Sequence, residues 1–303
     1  MTENEAFEGT PAVAVCVPLY RKEEFIAETL RSVLDQTFTD FELIVLDNAS
    51  PDRSGEIARS FDDPRLVVVR NPRTIAATEN FAKVVSLSRA PLVKVLMADD
   101  LIHRNCLERQ VEVLKRDAQL AMVTCRHDVI DEYGRLVAPD RVLRTRDLVG
   151  RQDRKTVIRR VVRHGGNPIG NPGNVLFRRA AFDAAGGFAN EEFFTLDIGT
   201  WLRLLEHGGY FGMPETLSSF RINSGSHSSE LGGKAIRLQR DFIAGVRRAN
   251  REIVRNSDVV YGALRAPLMR LRHRVLFAAA GPPSSVRRRA ALKVLALGPS
   301  ART

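Results

Sequence analysis

Four short apolar runs in the first third of the chain constrain its fold more than any other feature. They cover residues 13–18, 41–46, 66–70 and 92–96. The segments between them have helical periodicity, as in residues 23–36, where Ile26, Leu30 and Val33 fall on one helix face. Continuous apolar runs joined by helices are typical of a mostly parallel sheet that is covered by helices on both faces. The sequence therefore predicts an α/β fold.

The composition is that of a globular protein, with 303 residues, 44% hydrophobic and 27% charged. Cys16, Cys106 and Cys125 are widely spaced and form no CxxC pair, which favours reduced thiols in a cytosol over a zinc site or a disulfide framework. Residues 1–11 do not resemble a signal peptide, and no apolar stretch approaches the roughly 18–20 residues of a membrane-spanning helix. We therefore expect a cytoplasmic protein.

The positive charge of the chain is concentrated at its C-terminal end. The net charge is +10, and residues 234–303 contain sixteen Lys and Arg against three acids, a formal charge of +13. The rest of the chain is therefore close to neutral, at −3. We predict a disordered N-terminal tail over residues 1–11, a globular α/β domain over residues 12–233 and a basic helical extension over residues 234–303.

The basic extension has two interpretations. Its arginines lie among apolar residues such as Leu264 and Leu271, a pattern typical of a helix on an anionic membrane surface. The protein would then lie peripherally on the inner face of the cell membrane. The alternative is a helical lid or a homodimer surface with solvated arginines. Specific nucleic-acid binding is not indicated, because no recognised binding module accompanies the charge.

Carboxylates follow two of the apolar runs. Asp47 ends the second run, and Asp99 and Asp100 end the fourth. Because the carboxyl ends of parallel strands meet at one edge of a sheet, where open α/β sheets bind ligands, we expect these side chains to lie close together. A divalent cation held there can carry a nucleotide diphosphate.

These residues belong to a series of short motifs. The motifs are VCVPLY at 15–20, LRSVLDQT at 30–37, VLDNASPD at 45–52, MADD at 97–100, and GGF at 186–188 followed by Asp197. Together, over residues 12–225, they resemble the family 2 glycosyltransferases, enzymes with the GT-A fold. The resemblance implies that residues 12–233 form a Rossmann-like GT-A domain, a mostly parallel sheet flanked by helices.

The resemblance implies that the first two strands hold the nucleotide. Pro18 and Tyr20 would lie against it, and Asp47 would hydrogen-bond to the base. A carboxylate accepts from an imino N–H, which favours uracil or thymine. In its Asp-Asn-Ala-Ser segment, Asp47 would otherwise be an ordinary turn residue. The further nucleotide-sugar contacts expected are Asp99, Asn80, Arg221 and Arg73, with Arg70 as the weaker alternative to Arg73. Arg221 and His227 would supply positive donors to the diphosphate.

The resemblance also implies a site for Mg²⁺ or Mn²⁺. One carboxylate of Asp99 and Asp100 would lie near the ribose and the other on the metal, with His227 as a further candidate ligand. The adjacent acids would otherwise suit a helix start. Met97 stands where members of the family often have a further acid, which leaves fewer metal ligands.

Asp197 matches the catalytic base of the family. The base takes the proton of the acceptor hydroxyl as that hydroxyl attacks the anomeric carbon, in a direct displacement with inversion. Members usually have Glu before this Asp, and this sequence has Leu196, so Glu191 or Glu192 is an alternative base. A helix cap is the structural interpretation of Asp197. The Gln-x-x-Arg-Trp motif of processive members is absent, which favours one sugar per encounter.

The function predicted is transfer of a sugar from a nucleotide-diphosphate sugar, with UDP- or dTDP-sugars favoured, to a saccharide or lipid-linked acceptor in cell-surface glycan synthesis. A sugar-nucleotide nucleotidyltransferase is one alternative, but it would need a glycine-rich loop where residues 19–24 contain no glycine. The other alternative is a binding or scaffold protein that has lost catalysis, which Met97 and Leu196 favour.

Overall fold

A mixed β-sheet lies at the centre of the chain, of which the structure, a computed structural model, describes residues 9–139, 148–188, 192–222 and 232–279. The strands in these ranges are β1 (Val13–Leu19), β2 (Phe41–Asp47), β3 (Leu66–Arg70), β4 (Leu92–Val95), β5 (Leu101–Ile102), β6 (Leu120–Ile130), β7 (Leu136–Ala138), β8 (Gly150–Gln152), β9 (Val175–Arg178) and β10 (Gly209–Arg221). Their spatial order is β3-β2-β1-β4-β9-β6-β10-β5, with β7 beside β6 and β8 beside β10.

The four strands that the sequence predicts form the parallel half of the sheet. Strand β1 pairs in parallel with β2 and β4, and β2 pairs in parallel with β3. Every residue of β1, β2 and β4 is buried, which explains the continuous apolar runs. Leu19 is in register with Asp47, and the amide of Leu96 donates to the carbonyl of Cys16. The segments after β1, β2 and β4 therefore reach the same edge of the sheet.

The second half of the sheet contains antiparallel pairs. Strand β9 lies between β4 and β6 and is antiparallel to both, whereas β6 and β10 are parallel to each other. Long strand β10 ends at Arg221, beside Ile130 at the end of β6. This arrangement brings the end of β10 next to the segment that follows β4.

Helices cover both faces of the sheet, as the sequence predicts. They are α1 (Ile26–Leu34), α2 (Ser54–Arg59), α3 (Ala77–Ser86), α4 (Cys106–Arg116), α5 (Arg154–His164), α6 (Arg179–Ala184), α7 (Leu196–Leu204), α8 (Gly232–Ala249) and α9 (Asn256–Ala279). Residues of α1 and α4, such as Leu30 and Leu107, belong to one core cluster. Residues of α3, α5 and α7, such as Phe81, Val161 and Trp201, belong to the other. The α/β fold class is confirmed.

The start of the basic extension packs against the rest of the protein. Val246, Ile253 and Val254 form an apolar cluster with residues of α5. The buried carboxylate of Asp258 accepts two hydrogen bonds from Arg159, at 2.9 and 3.1 Å. None of the described helices is both long enough and apolar enough to cross a membrane. Most of the predicted N-terminal tail, residues 1–8, and residues 280–303 of the extension lie outside the described residues.

Candidate active site

The carboxylate of Asp47 is completely buried at the end of β2. Its Oδ1 accepts from the amide of Ser50 at 2.9 Å, and its Oδ2 forms an ion pair with the guanidinium of Arg70. Arg70 also donates to the carbonyl of Ser50 at 3.1 Å. A Cβ atom at Gly55 would overlap this carboxylate, so the glycine makes room for it. Both oxygens of Asp47 therefore have partners within the protein.

The loop after β1 is the exposed side of this region. Pro18 is buried within the strand, and Tyr20 follows it with 42% of its surface exposed. The next residue, Arg21, has a left-handed backbone with φ of 53°, and its amide donates to Ser50 Oγ at 3.2 Å. Non-glycine residues in this conformation persist where their surroundings hold them, and such sites are often functional. Tyr20 thus offers an aromatic ring beside the Asp47 region.

Asn80 is part of a buried amide network. The Nδ2 of Asn71 donates to Asn80 Oδ1 at 2.9 Å and to Asn48 Oδ1 at 3.0 Å. Asn48 Oδ1 also accepts from the amide of Ile75. The network fixes the loop that follows β3, and this loop holds Arg73 at the surface. Asn80 is therefore placed behind the loop and Arg73 on it.

Asp99 and Asp100 lie next to each other after β4, as the sequence predicts. The Oδ2 of Asp99 is 2.6 Å from the ammonium of Lys22, and the Oδ1 of Asp100 accepts from the amide of Arg221 at 2.9 Å. The carbonyl of Asp100 accepts from Thr29 Oγ1 at 3.0 Å. Burial, and then the neighbouring charge of Asp99, raise the pKa of Asp100 well above its usual value. Lys22 and Arg221, the two cations beside the pair, act in the opposite direction and lower the pKa of Asp100.

Arg221 holds the acidic pair in place. Its side chain is almost fully buried, with Nε donating to the carbonyl of Asp99 at 2.9 Å and Nη2 to Glu28 Oε2 at 2.6 Å. Its Nη1 donates to the carbonyl of Asp131 at 3.2 Å. The guanidinium expected on the diphosphate thus links α1, the acidic pair and the loop after β6. His227, the other residue expected there, lies outside the described residues.

The acidic pair fits part of a site for a hard divalent cation. Carboxylate oxygens suit Mg²⁺ and Mn²⁺, and Asp99 and Asp100 supply two carboxylates from adjacent residues. Among the described residues, no group of three or more His, Cys, Asp or Glu could hold an ion. Mg²⁺ is commonly held by one or two carboxylates together with substrate phosphates. The pair can supply the protein ligands, and a diphosphate the remaining ones.

Asp197 lies in the first turn of α7. Two neutral hydrogen-bond donors hold its carboxylate in place. Oδ1 accepts from the amide of Ile198 at 2.7 Å, and Oδ2 accepts from Asn167 Nδ2 at 2.8 Å. Burial raises the pKa of Asp197 to about 6, although both hydrogen bonds lower it. A carboxylate with such a pKa is ionised at neutral pH and takes up a proton readily, as a general base must.

The glycine-rich loop over residues 165–174 connects Asp197 to the acidic pair. Asn167 Nδ2 also donates to the carbonyl of Gly170, which in turn accepts from the indole of Trp201 at 3.2 Å. At the other end of the loop, a Cβ atom on Gly173 would lie 4.0 Å from Asp100 Oδ2. Residues of one loop thus lie near the catalytic candidate, Asp197, and near one of the metal candidates, Asp100.

The sequence analysis missed Lys22 and Asn167. Lys22 lies in a charged stretch after β1, and Asn167 in a loop rich in glycine and asparagine, so neither stands out in the local pattern. Of the alternative bases, Glu192 is exposed and begins the short 3₁₀ helix Phe193–Thr195. Glu191 lies outside the described residues. Asp197, in contrast, has a half-buried carboxylate whose pKa is raised to about 6.

Residues 14–186 of the chain match the sequence model of the family "Glycosyl transferase family 2". Among curated relatives, "Uncharacterized protein MT1568" of Mycobacterium tuberculosis is 28% identical over 73% of this chain and 70% of its own length. The "Putative teichuronic acid biosynthesis glycosyltransferase TuaG" of Bacillus subtilis is 25% identical over 72% of this chain and 82% of its own. The "Uncharacterized glycosyltransferase MJ1057" of Methanocaldococcus jannaschii is 28% identical, but the match spans only 45% of its length.

Solved structures share the fold. TarS 1-349 of S. aureus, in complex with UDP-GlcNAc, superposes with a TM-score of 0.65 at 15% identity, over 93% of this chain and 79% of that one. The mannosyltransferase PcManGT of Pyrobaculum calidifontis, in complex with GDP-Man and Mn²⁺, gives a TM-score of 0.55 at 16% identity, over 95% of this chain and 86% of that one. The predicted GT-A architecture is confirmed.

Proposed function

Because the chain belongs to glycosyltransferase family 2, we propose that it transfers one sugar per encounter from a nucleotide-diphosphate sugar to an acceptor hydroxyl, with inversion at the anomeric carbon. One observation carries this proposal: the half-buried carboxylate of Asp197, with a pKa raised to about 6, accepts a hydrogen bond from Asn167, and Gly173 of the same loop lies close to Asp100. The first group suits a base, and the second suits the binding of a diphosphate.

Asp197 is proposed as the catalytic base. The acceptor oxygen forms a bond to the anomeric carbon while the bond from that carbon to the diphosphate oxygen breaks, and Asp197 takes the hydroxyl proton. Asn167 and the amide of Ile198 each occupy one direction around the carboxylate, so the remaining lone pairs can accept the acceptor's proton. The fixed hydrogen bonds hold the base at a constant orientation, which is part of its catalytic effect.

The acidic pair is proposed to hold the leaving group. A Mg²⁺ or Mn²⁺ bound by Asp99 and Asp100 would stabilise the charge that develops on the diphosphate. Arg221 keeps the pair in position through the amide bond to Asp100 and the Nε bond to the carbonyl of Asp99. Its role is therefore proposed as positioning of the site, with the diphosphate contact of the sequence analysis remaining a prediction.

The donor is proposed to be a UDP- or dTDP-sugar. The base would lie beside Tyr20 and Asp47, with an imino N–H donating to the carboxylate. TarS, whose fold this chain shares, is described with UDP-GlcNAc, which supports uridine, whereas PcManGT is described with GDP-Man. The fold thus accommodates more than one base, and the choice depends on the residues after β1 and β2, with Pro18, Asn80 and Arg73 as the further contacts proposed there.

A panel of nucleotides tests the donor site. Thermal unfolding is measured with UDP, dTDP, GDP and CDP, each with Mn²⁺, with Mg²⁺ and with EDTA, because a ligand of the folded state raises the melting temperature. We expect the largest shift with UDP or dTDP and metal, and its loss in Asp100→Ala. The matched control is Asp62→Ala, which removes an exposed carboxylate before β3. No shift with any nucleotide would contradict the proposal and favour a degenerate scaffold protein.

The acceptor is proposed to be a saccharide or lipid-linked saccharide of a cell-surface glycan. The name of the relative TuaG refers to teichuronic acid biosynthesis, and chondroitin synthase of Escherichia coli is 27% identical over 45% of this chain. These names concern glycan synthesis in the relatives and support the same class of acceptor here. Incubation with radiolabelled donor and extracted glycolipids should transfer label to the lipid phase in the wild type and not in Asp197→Asn.

Helix α9 is proposed to contact an anionic membrane at the inner face of the cell membrane. Val260, Leu264 and Leu271 are exposed on it, by 59%, 75% and 59%. The sequence of α9 contains four arginines and a single acid, Asp258, which is buried in the ion pair with Arg159. Exposed apolar residues together with an excess of basic residues favour contact with an anionic membrane surface, where each basic residue contributes about 1 kcal/mol to binding.

Vesicle flotation tests the membrane contact. The wild type should float with vesicles that contain phosphatidylglycerol and remain unbound with pure phosphatidylcholine. The double variant Leu264→Ser/Leu271→Ser should lose flotation, whereas Leu136→Ser, which removes a similarly exposed leucine from β7, should retain it. If the double variant still floats, the helix is not the contact. If the wild type does not float but forms a dimer that the double variant lacks, the surface is a homodimer interface.

A further inference from the structure

The ammonium of Lys22 lies on the carboxylate that a metal would use. Its Nζ is 2.6 Å from Asp99 Oδ2, and 20% of the lysine side chain is exposed. The backbone of Lys22 is held in place, because its amide donates to Ser54 Oγ at 2.7 Å. The ammonium can therefore move on its flexible side chain while the backbone stays fixed. Its exposure places it at the open side of the site, where a diphosphate would enter.

Charge balance argues that Lys22 and a divalent cation compete in the free protein. The carboxylates of Asp99, Asp100 and Glu28 face the two cations Lys22 and Arg221, which gives a formal charge of −1, and the ammonium of Lys22 already occupies one oxygen of Asp99. A divalent cation beside Asp99 would lie a few ångströms from the ammonium, where like charges repel. A bound diphosphate changes the balance, because its oxygens provide new acceptors for Lys22 and new ligands for the cation.

We propose that Lys22 is a diphosphate-binding residue that exchanges Asp99 for a phosphate oxygen when the nucleotide binds, and that it thereby couples metal binding to nucleotide binding. The inference rests on the proposed function, since it assumes that the site takes a nucleotide diphosphate. It goes beyond that function in two ways. It assigns the ammonium of Lys22 to the diphosphate, in addition to the metal. It also predicts an order of binding, in which the free protein binds the metal weakly and the nucleotide makes Asp99 available to the metal.

The alternative is a purely structural ion pair, in which Lys22 neutralises Asp99 in every state. The two cases differ in how Mn²⁺ and nucleotide affect each other. If Lys22 moves from Asp99 to a phosphate oxygen, the affinity for Mn²⁺ increases when UDP binds. Because the coupling between two binding sites is reciprocal, the affinity for UDP increases by the same factor when Mn²⁺ binds. Removal of Lys22 should reduce this coupling, because Asp99 is then accessible to the metal without nucleotide. A structural pair would leave the coupling unchanged.

Mn²⁺ binding measured by electron paramagnetic resonance of the free ion tests the proposal without any activity assay. The purified full chain is titrated with Mn²⁺ in the presence and absence of UDP. We expect Lys22→Met to bind Mn²⁺ about tenfold more tightly than the wild type without UDP, and to bind UDP about tenfold more weakly in EDTA. Lys155→Met, which removes one exposed lysine from α5, is the matched control and should behave as the wild type.

Asp99→Asn is a second variant, and its expected effect on the affinity for UDP is opposite to that of Lys22→Met. It releases Lys22 from its carboxylate, so metal-free UDP should bind more tightly than to the wild type. In the Lys22→Met background the same change should have a much smaller effect, because no ammonium is released. Thermal unfolding without ligand establishes that each variant is folded.

The outcomes separate this inference from the proposed function. If the wild type binds UDP, but Lys22→Met has the affinities of the wild type for Mn²⁺ and for UDP, the role of Lys22 is overturned and the nucleotide site stands. If the wild type binds no nucleotide diphosphate with or without Mn²⁺, the proposed function fails, and the inference fails with it. Tighter Mn²⁺ binding together with weaker UDP binding in Lys22→Met supports the exchange.

Discussion

Asp47, which is fully buried, and Asp197, which is half-buried, are carboxylates in different halves of the molecule, and their partners differ in charge. Each accepts a backbone amide, from Ser50 and from Ile198 respectively. The second partner of Asp47 is the guanidinium of Arg70, whereas the second partner of Asp197 is the neutral amide of Asn167. The geometry is similar in the two places, but only Asp47 has its charge balanced directly.

The difference shows how one fold prepares carboxylates for different tasks. Asp47 accepts from a guanidinium and a backbone amide, so that side chain is held in place and is suited to a fixed, structural or base-reading role. At Asp197, burial without a cation raises the pKa to about 6, so the group can exchange a proton near neutral pH. Asp99 and Asp100 lie between these cases, because one lysine faces two carboxylates.

The largest expected effect comes from removing the charge of Asp197. Asp197→Asn keeps the size of the side chain but cannot accept a proton, so kcat should fall by about 10²- to 10⁴-fold, the usual contribution of a general base. The thermal shift with UDP and Mn²⁺ should be unchanged, because the nucleotide is bound at the other half of the site. The measurement is release of nucleoside diphosphate in the presence of acceptor.

Glu192→Gln is the matched control for this prediction, because it neutralises the alternative base within the described residues. It should retain most of the activity, since Glu192 is exposed. Full loss in Glu192→Gln with activity retained in Asp197→Asn would reverse the assignment.

The next effect concerns stability. Arg70→Met should leave the carboxylate of Asp47 buried without its cation, at a cost of about 2 kcal/mol in the free energy of unfolding, less than for a fully enclosed pair because the arginine is partly exposed. Adding Asp47→Asn to this variant should recover part of the loss, because the uncompensated charge is then absent. Urea unfolding of the single and double variants measures both changes.

Arg53→Met serves as the comparison, because its ion pair with Glu56 is exposed at both ends. It should change the unfolding free energy little, since exposed pairs contribute little. An Arg70→Met variant no less stable than Arg53→Met would mean that the Asp47 carboxylate does not depend on its guanidinium.

The sequence predicts the backbone of the site better than its charge balance. Strands β1, β2 and β4 are buried throughout, and continuous apolar runs are a strong local signal for such strands. Because parallel strands end at a common edge, the positions of Asp47, Asp99 and Asp100 follow from the strand assignment. Both steps use residues that are close together in the chain, and the parallel pairing of β1 with β2 and β4 confirms that these strands end at one edge of the sheet.

The partners of these carboxylates could not be predicted in the same way. Lys22 and Asp99 are 77 residues apart, and Arg221 and Asp100 are 121 apart, so the pairs depend on how the strands are ordered in the sheet. Strand β9 lies between β4 and β6 and runs antiparallel, which a short apolar run does not reveal. The bond from Asn167 to Asp197 likewise depends on the path of a loop. Local patterns contain no information on such contacts.

The smallest expected effect is a shift in the pH dependence of transfer. Asp197 must be ionised to act as a base, so kcat/KM should rise with pH up to about 6 and be level above it. The hydrogen bond from Asn167 lowers the pKa of Asp197, so Asn167→Ala should move this acidic limb to higher pH. The change in the pKa of Asp197 caused by Asn167→Ala should be smaller than the total shift of that pKa from its usual value. The rate should therefore fall by no more than about tenfold at pH 6 and little at pH 8.

The same titration affects stability with a defined sign. The pKa of Asp197 is raised in the folded state from 3.8 to about 6, so the folded protein binds more protons than the unfolded chain between these values. The contribution of Asp197 to the free energy of unfolding therefore decreases as pH rises through this window and is constant above it. Asn171→Ala removes another amide from the same loop and should keep the acidic limb near pH 6. If Asn167→Ala lowered the rate equally at every pH, Asn167 would support the loop without tuning the base, and the contrast between Asp197 and Asp47 would rest on the guanidinium of Arg70 alone.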